Sequence, residues 1–269
     1  MAKLWYSGAV DAAGRTSWTG RPELADYVSF YGFMFLYLHL LKSGGLKPGS
    51  IPDSNDDDIP GPACGHKSAA VHITLSGYSY GSLMTSNLPK LDAIVELFKS
   101  STDEAPFNDL IRTAKEIYQG SEDGNSAPQR QTPSSGNCRP RDCEALHDTT
   151  TTTISYLLIS PLLPPINLFL TMFSKLFLDV GEQGLRKGMQ ISCPKPADQL
   201  SVHPTLVIYG NRDTFTSAHK LRKWSEDLMR IPGSRFRSVE VDGAGHFWRE
   251  MGAESQARNA LRTWLGQIA

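Results

Sequence analysis

The stretch Ala70-Val71-His72-Ile73-Thr74-Leu75-Ser76-Gly77-Tyr78-Ser79-Tyr80-Gly81-Ser82-Leu83-Met84-Thr85-Ser86 decides the fold class. Val71 to Leu75 is a short apolar run with β-branched residues, which favours a buried strand. Beyond it, Leu83, Met84, Leu88, Leu91, Ile94, Val95 and Phe98 recur at helical spacing. Between the two lies Gly77-Tyr78-Ser79-Tyr80-Gly81, so strand must become helix within a few residues, with Ser79 at the apex.

Gly-x-Ser-x-Gly between a strand and a helix is the signature of a nucleophile elbow. Such a turn holds its serine in a strained backbone conformation and leaves no room for side chains at the flanking positions, hence Gly77 and Gly81. The serine Oγ then projects beyond the carboxyl end of the sheet. It stands at a helix N-terminus, where unpaired amides favour a developing negative charge. The amide of Tyr80, the next residue, is the candidate oxyanion donor. An ordinary glycine-rich turn between strand and helix uses the same residue types, so the motif needs support from the rest of the chain.

Upstream, residues 1 to 21 show no period of either kind. A helix is expected from Arg21-Pro22-Glu23 to about Lys42, stopping at Ser43-Gly44-Gly45. It is apolar on most faces and should pack deeply. Gly49 to Ser68, with Asp56-Asp57-Asp58, reads as a solvated loop rather than a metal cage.

Downstream, a polar insertion at about 99–152 is too poor in apolar residues to order itself and is expected to be flexible. A second strand follows at Thr153 to Ser160. Pro161 to Val180 is apolar and proline-bearing, ending in a helical patch of Phe169, Met172, Phe173, Leu176 and Phe177. A third strand, Thr205 to Gly210, runs into Asn211-Arg212-Asp213. The helix after it, about Ser217 to Arg230, sets Leu221, Trp224, Leu228 and Met229 on its apolar face. A fourth strand, Phe236 to Val241, runs into Asp242-Gly243-Ala244-Gly245-His246, and a helix near Glu254 to Ile268 closes a single domain spanning 1–269. Strands alternating with helices argue for an α/β fold, a mainly parallel sheet covered on both faces. In such sheets chemistry gathers beyond the carboxyl ends of the strands. A serine, an aspartate and a histidine each fall at such an end, on three different strands.

The chain order Ser79, Asp213, His246 is that of the α/β-hydrolase triad. From about Arg15 onward the chain resembles the α/β-hydrolase superfamily, closest to small fungal-type serine hydrolases. The resemblance rests on Gly77 to Gly81, on Val207-Ile208-Tyr209-Gly210-Asn211-Arg212-Asp213 and on Gly243-Ala244-Gly245-His246-Phe247. It implies that Ser79 is the nucleophile, His246 the base and Asp213 the group that orients the imidazole. Asp213 could instead cap the following helix. Asp179, after the preceding strand, is the alternative acid. His246 could be an ordinary loop histidine, and Asp242 is expected to end its strand and bond locally. His72, in a strand expected to be buried, and His219, on a helix, read as structural or exposed. Arg15-Thr16-Ser17 resembles a family loop of structural rather than catalytic kind.

Complete family members carry further strands before this segment, and a loop, often His-Gly, that gives the second oxyanion amide. Neither is found here, so the resemblance implies an N-terminally shortened sheet of about four core strands with an exposed edge. Loss of one oxyanion donor typically costs on the order of a hundred- to a thousand-fold in rate.

The expected activity is therefore acyl transfer on an ester, thioester or small amide, with no cofactor and no metal. The apolar segment Leu162 to Phe177 reads either as a lid or acyl pocket, which favours a hydrophobic small-molecule substrate, or as a connection packed on the sheet. A catalytically weak or inactive chain acting as a binding module is the alternative. Carbon–carbon bond hydrolysis or cofactor-free peroxidation is a narrower one.

Composition narrows the field further. The 269 residues suffice for one α/β domain, and a formal charge of −1 gives no reason to expect nucleic acid as partner. Cys64, Cys138, Cys143 and Cys193 form no C-x-x-C pair and read as thiols of a reducing, cytoplasmic compartment. Met1 to Val10 lacks the pattern of a signal peptide. Tyr27 to Leu41 is too short to span a membrane, and Ile154 to Leu170 is broken by Pro161, Pro164 and Pro165.

Overall fold

The computed structural model describes residues 19–44, 71–100, 152–167, 176–180 and 189–268. Residues 101–151 of the expected polar insertion, the loop at 49–68, Arg15-Thr16-Ser17, the patch from Phe169 to Phe173 and Cys64, Cys138 and Cys143 lie outside those residues. In chain order the elements are α1 (Arg21–Gly44), β1 (Val71–Tyr78), α2 (Tyr80–Ser86), α3 (Leu91–Ser100), β2 (Thr152–Ile159) and β3 (Phe177–Val180). They continue as β4 (Met189–Ser192), α4 (Pro196–Val202), β5 (Thr205–Gly210), α5 (Ala218–Met229), β6 (Phe236–Val241) and α6 (Ala253–Ile268).

β1, β2, β5 and β6 form a four-stranded sheet in that order, every pair parallel. The fold is α/β. Side-chain alternation along β5 shows how the faces are covered. Val207 and Tyr209 join a core with Leu83 and Met84 of α2, Leu221 and Leu228 of α5, and Tyr27 and Tyr31 of α1. Leu206 and Ile208 point the other way, into a second core with Ala253 and Trp264 of α6. Covered on both faces, β5 is buried along its whole length, which is why its sequence is a continuous rather than alternating apolar run.

β1 reads differently because its position differs. Val71, Ile73 and Leu75 are buried while His72, Thr74 and Ser76 are exposed, the alternation of a strand covered on one face. It also lies at the end of the strand order, paired only with β2 among the described residues. The strand is thus buried on one face rather than throughout, and His72 is exposed, one of the two readings open to it. Its Nε2 lies 2.9 Å from Ser155 Oγ, which is itself 2.9 Å from Thr74 Oγ1, a polar cross-strand group on the same sheet face as Leu157, which packs with α6.

Four further expectations need correction. The single helix expected after the elbow is two, α2 and α3, interrupted at Asn87-Leu88-Pro89-Lys90. Pro89 offers no amide and disfavours a helical residue before it. The freed chain end is tied down by Asn87 Nδ2 donating to Leu83 O at 2.8 Å and Gln199 Nε2 donating to Leu88 O at 2.6 Å. Phe177 opens a strand, β3, which pairs antiparallel with β4 apart from the main sheet. Met229, at the end of α5, is exposed rather than on its apolar face. The polar stretch before β5 holds a helix, α4, that was not expected. None of the helices in the described residues is long and apolar enough to cross a membrane.

Gly210 shows how tightly the sheet's carboxyl end is built. A methyl group there would overlap the carbonyl of Ala244, in the loop after β6. Gly210→Ala is expected to lower stability by about 1–3 kcal/mol, because neither backbone can retreat without breaking the β5–β6 ladder. The measurement is the urea midpoint, which should fall with little change in the slope of the transition.

Candidate active site

Ser79 follows β1 directly and stands one residue before α2, with φ 53° and ψ −119°. A side chain is rarely held at positive φ, and the conformation is sustained from both sides. The Ser79 amide donates to Ile159 O at 2.9 Å, carrying the β1–β2 ladder one residue further. Its carbonyl accepts from Ser82 N at 3.0 Å and Ser82 Oγ at 2.5 Å. A methyl group at Gly77 would overlap the Gly81 carbonyl, so the sharp turn requires glycine at that position. Tyr80 is the first residue of α2, and its amide belongs to the helix-opening set that has no partner within the helix.

The other two strand ends are latched to each other. Asn211 N donates to Val241 O at 3.1 Å and Arg212 N to Ala244 O at 2.9 Å. The Asn211 side chain closes the latch: its Oδ1 accepts from Gly243 N at 2.9 Å and its Nδ2 donates to Asp242 Oδ1 at 2.7 Å. Asp242 ends β6 as expected, but its carboxylate bonds across to the loop after β5 rather than locally. The latch sets Asp213 and His246 side by side, with side chains only 1% and 3% exposed.

Asp213 Oδ1 accepts from the amides of Phe215 at 2.8 Å and Thr216 at 3.2 Å, closing a turn in its own loop; it does not cap α5, whose N-cap is Ser217. The turn leaves Oδ2 free to meet His246 Nδ1 at 2.7 Å. On the far side of the ring, His246 Nε2 lies 2.8 Å from Ser79 Oγ. A carboxylate only accepts, so Nδ1 carries the ring proton and Nε2 presents a lone pair to the serine hydroxyl, which donates to it. The structure thus brings Ser79, His246 and Asp213 into one hydrogen-bonded chain. Asp179 lies on β3 opposite Gln190, in the two-stranded sheet, and His219 is exposed on α5.

Burial pushes the Asp213 carboxyl pKa up. The hydrogen bonds from His246 and from the two amides, with the charge His246 can carry, pull it down, and the net result lies below the ordinary carboxylate value. A depressed folded-state pKa gives stability that is present above the unfolded value, about 3.9, and lost as pH falls through the folded one. The melting temperature should therefore drop on acidification below about pH 4, and less steeply in Asp213→Asn. Equal acid slopes in the two proteins would count against the assignment.

Three aromatic rings surround the imidazole: Phe215 with centroids 4.4 Å apart, Phe247 at 5.3 Å and Tyr78 at 5.6 Å. The Tyr78 hydroxyl also donates to His246 O at 2.9 Å. All three rings are partly open to solvent, at 43%, 59% and 43% for Phe215, Phe247 and Tyr78, so the mouth of the site is apolar. Sequence reasoning did not single them out. Their signal was adjacency, since each lies within two residues of Ser79, Asp213 or His246. Among the described residues no cluster of His, Cys, Asp or Glu could hold a metal ion.

No protein-family model matches the chain, and no curated protein matches it. Among solved structures it is similar to acyl-protein thioesterase 2 of Zea mays, with 11% sequence identity and a TM-score of 0.31. That match covers 90% of this chain and 66% of the plant protein, so the chain spans just under two thirds of the plant protein's length.

Proposed function

We propose that the protein is a serine hydrolase of the α/β-hydrolase kind that cleaves an ester, thioester or small amide with a hydrophobic acyl or leaving group. The observation that supports this is the unbroken chain from Ser79 Oγ through both nitrogens of His246 to Asp213 Oδ2, built from three separate strand ends. A satisfied loop histidine needs one partner. This one bridges a strained hydroxyl and a buried carboxylate, the pairing that nucleophilic catalysis requires.

In this reading Ser79 Oγ attacks the substrate carbonyl as its proton passes to His246 Nε2. Asp213 stabilises the imidazolium and holds the ring in place. The carbonyl oxygen, now negative, receives the Tyr80 amide at the opening of α2. His246 returns the proton to the leaving group, giving an acyl-serine. Water attacks that ester by the same route, the proton again moving through Nε2, and frees the acid. The chemistry draws on no cofactor, and the partner is the small-molecule substrate. The ring of Tyr78, Phe215 and Phe247 offers that substrate an apolar seat.

A fluorophosphonate probe tests the proposal, since it reacts with a serine only when that serine is activated. The full chain should label at one site, lose labelling in Ser79→Ala, and be protected by a competing p-nitrophenyl ester. A folded protein that does not label would overturn it.

A further inference from the structure

A cavity of about 870 Å³ lies beside the sheet, and none of Ser79, Asp213 and His246 lines it. It opens between α2 and α5, with Leu158 of β2 as its floor and the start of α4 along one side. Its walls are mainly apolar, with Leu83, Leu158, Leu162, Leu163, Leu176 and Trp224 outweighing the polar Ser82, Ser86, Asn87 and Asn167. Its volume falls in the range of sites that enclose a small organic molecule, about 300–1,000 Å³.

The rim has the opposite character. Lys195, Lys220 and Lys223 border the cavity, all exposed, and none forms an ion pair among the described residues. The nearby acids are engaged: Asp227, also on the rim, pairs with Arg230 at 3.1 Å, and Glu226 pairs with the same guanidinium at 3.2 Å. Lys220 and Lys223 are one helical turn apart on α5 and so present neighbouring ammonium groups. Lysine stems lie along apolar surface while the charged heads stay in water, so a lysine rim continues the oily wall and ends it in positive charge.

A largely apolar pocket bordered by three lysines and one acid, the lysines without ion-pair partners among the described residues, suits a ligand with a hydrocarbon tail and an anionic head. We propose that this cavity binds a single-chain anionic amphiphile, its tail against Leu158, Leu162 and Trp224 and its carboxylate or phosphate among Lys195, Lys220 and Lys223. Ser79, Asp213 and His246 do not line this site, and the proposal stands without the acyl-transfer chemistry. A fatty acid lodged with its head at the serine would leave the lysines idle, and that difference decides the test.

The test is calorimetric titration of the Ser79→Ala chain, which binds without turnover, with dodecanoate, dodecyl phosphate, dodecanol and dodecyltrimethylammonium, each below its micelle concentration. Both anions should bind at one site per chain, at least about tenfold more tightly than the alcohol or the cation. The stronger of the two anions identifies the head group. Lys220→Ala with Lys223→Ala, both on exposed positions, should weaken the anions about tenfold and leave the alcohol unchanged. Ala197→Trp, which fills the cavity from α4, should weaken all four. Equal binding of anion and alcohol, undiminished anion binding in the lysine variant, or no saturable binding at all would overturn the proposal.

Discussion

Ser79→Ala is expected to slow hydrolysis of a p-nitrophenyl ester by about 10⁴- to 10⁶-fold while leaving a folded protein. Alanine keeps the Cβ, so the backbone remains at φ 53° with the same strain, and only the oxygen facing His246 Nε2 is lost. What remains is binding and the Tyr80 amide, which give modest acceleration over water. Ser79→Gly supplies the control. It removes the same hydroxyl but admits positive φ freely, so it should be as inactive as alanine and more stable by roughly 1 kcal/mol. Two equally dead variants that differ in melting temperature in that direction separate the chemistry of the hydroxyl from the cost of its placement. An alanine variant within tenfold of the parent rate would show that Ser79 is not the nucleophile.

Asp213→Asn is the second large loss, about 10⁴-fold in kcat. The amide oxygen can still accept from Phe215 N and Thr216 N, which keeps the turn intact. Its NH₂ then faces His246 Nδ1 and donates to it, so Nδ1 must be the bare nitrogen and the ring proton moves to Nε2. An imidazole in that tautomer cannot accept the serine proton. The variant should retain substrate affinity, so the deficit falls on kcat rather than KM. Loss of affinity with kcat intact would point to a merely structural carboxylate.

Much of this arrangement was legible because the residues concerned obey strong local rules. The elbow is spelled by glycines that a short backbone approach demands, and Gly77 meets the Gly81 carbonyl as that reading requires. The four parallel strands lie where apolar, β-prone runs precede turn residues, and Asp213 and His246 follow two of them. The rest depended on tertiary context. Pro89 divides the helical run after Ser79, although Leu88 remains fully buried across the gap, so the apolar spacing survived the break that the proline imposed. His72 lies within an apolar run, and the alternation along β1, covered on one face, leaves it exposed. Phe215 and Phe247 gave no period at all, since their role depends on which loop faces which. The β3–β4 pair is too short to show an alternation of its own.

The strand order divides the proposed triad unequally. The loops bearing Asp213 and His246 belong to adjoining strands and are laced together by Asn211, whereas Ser79 rides on a strand that among the described residues is paired with β2 alone. Mild denaturant should loosen that outlying strand first and draw the hydroxyl from its base while the interior is still intact. On the proposed reading, ester hydrolysis should then be lost reversibly at a denaturant concentration below that of the global transition.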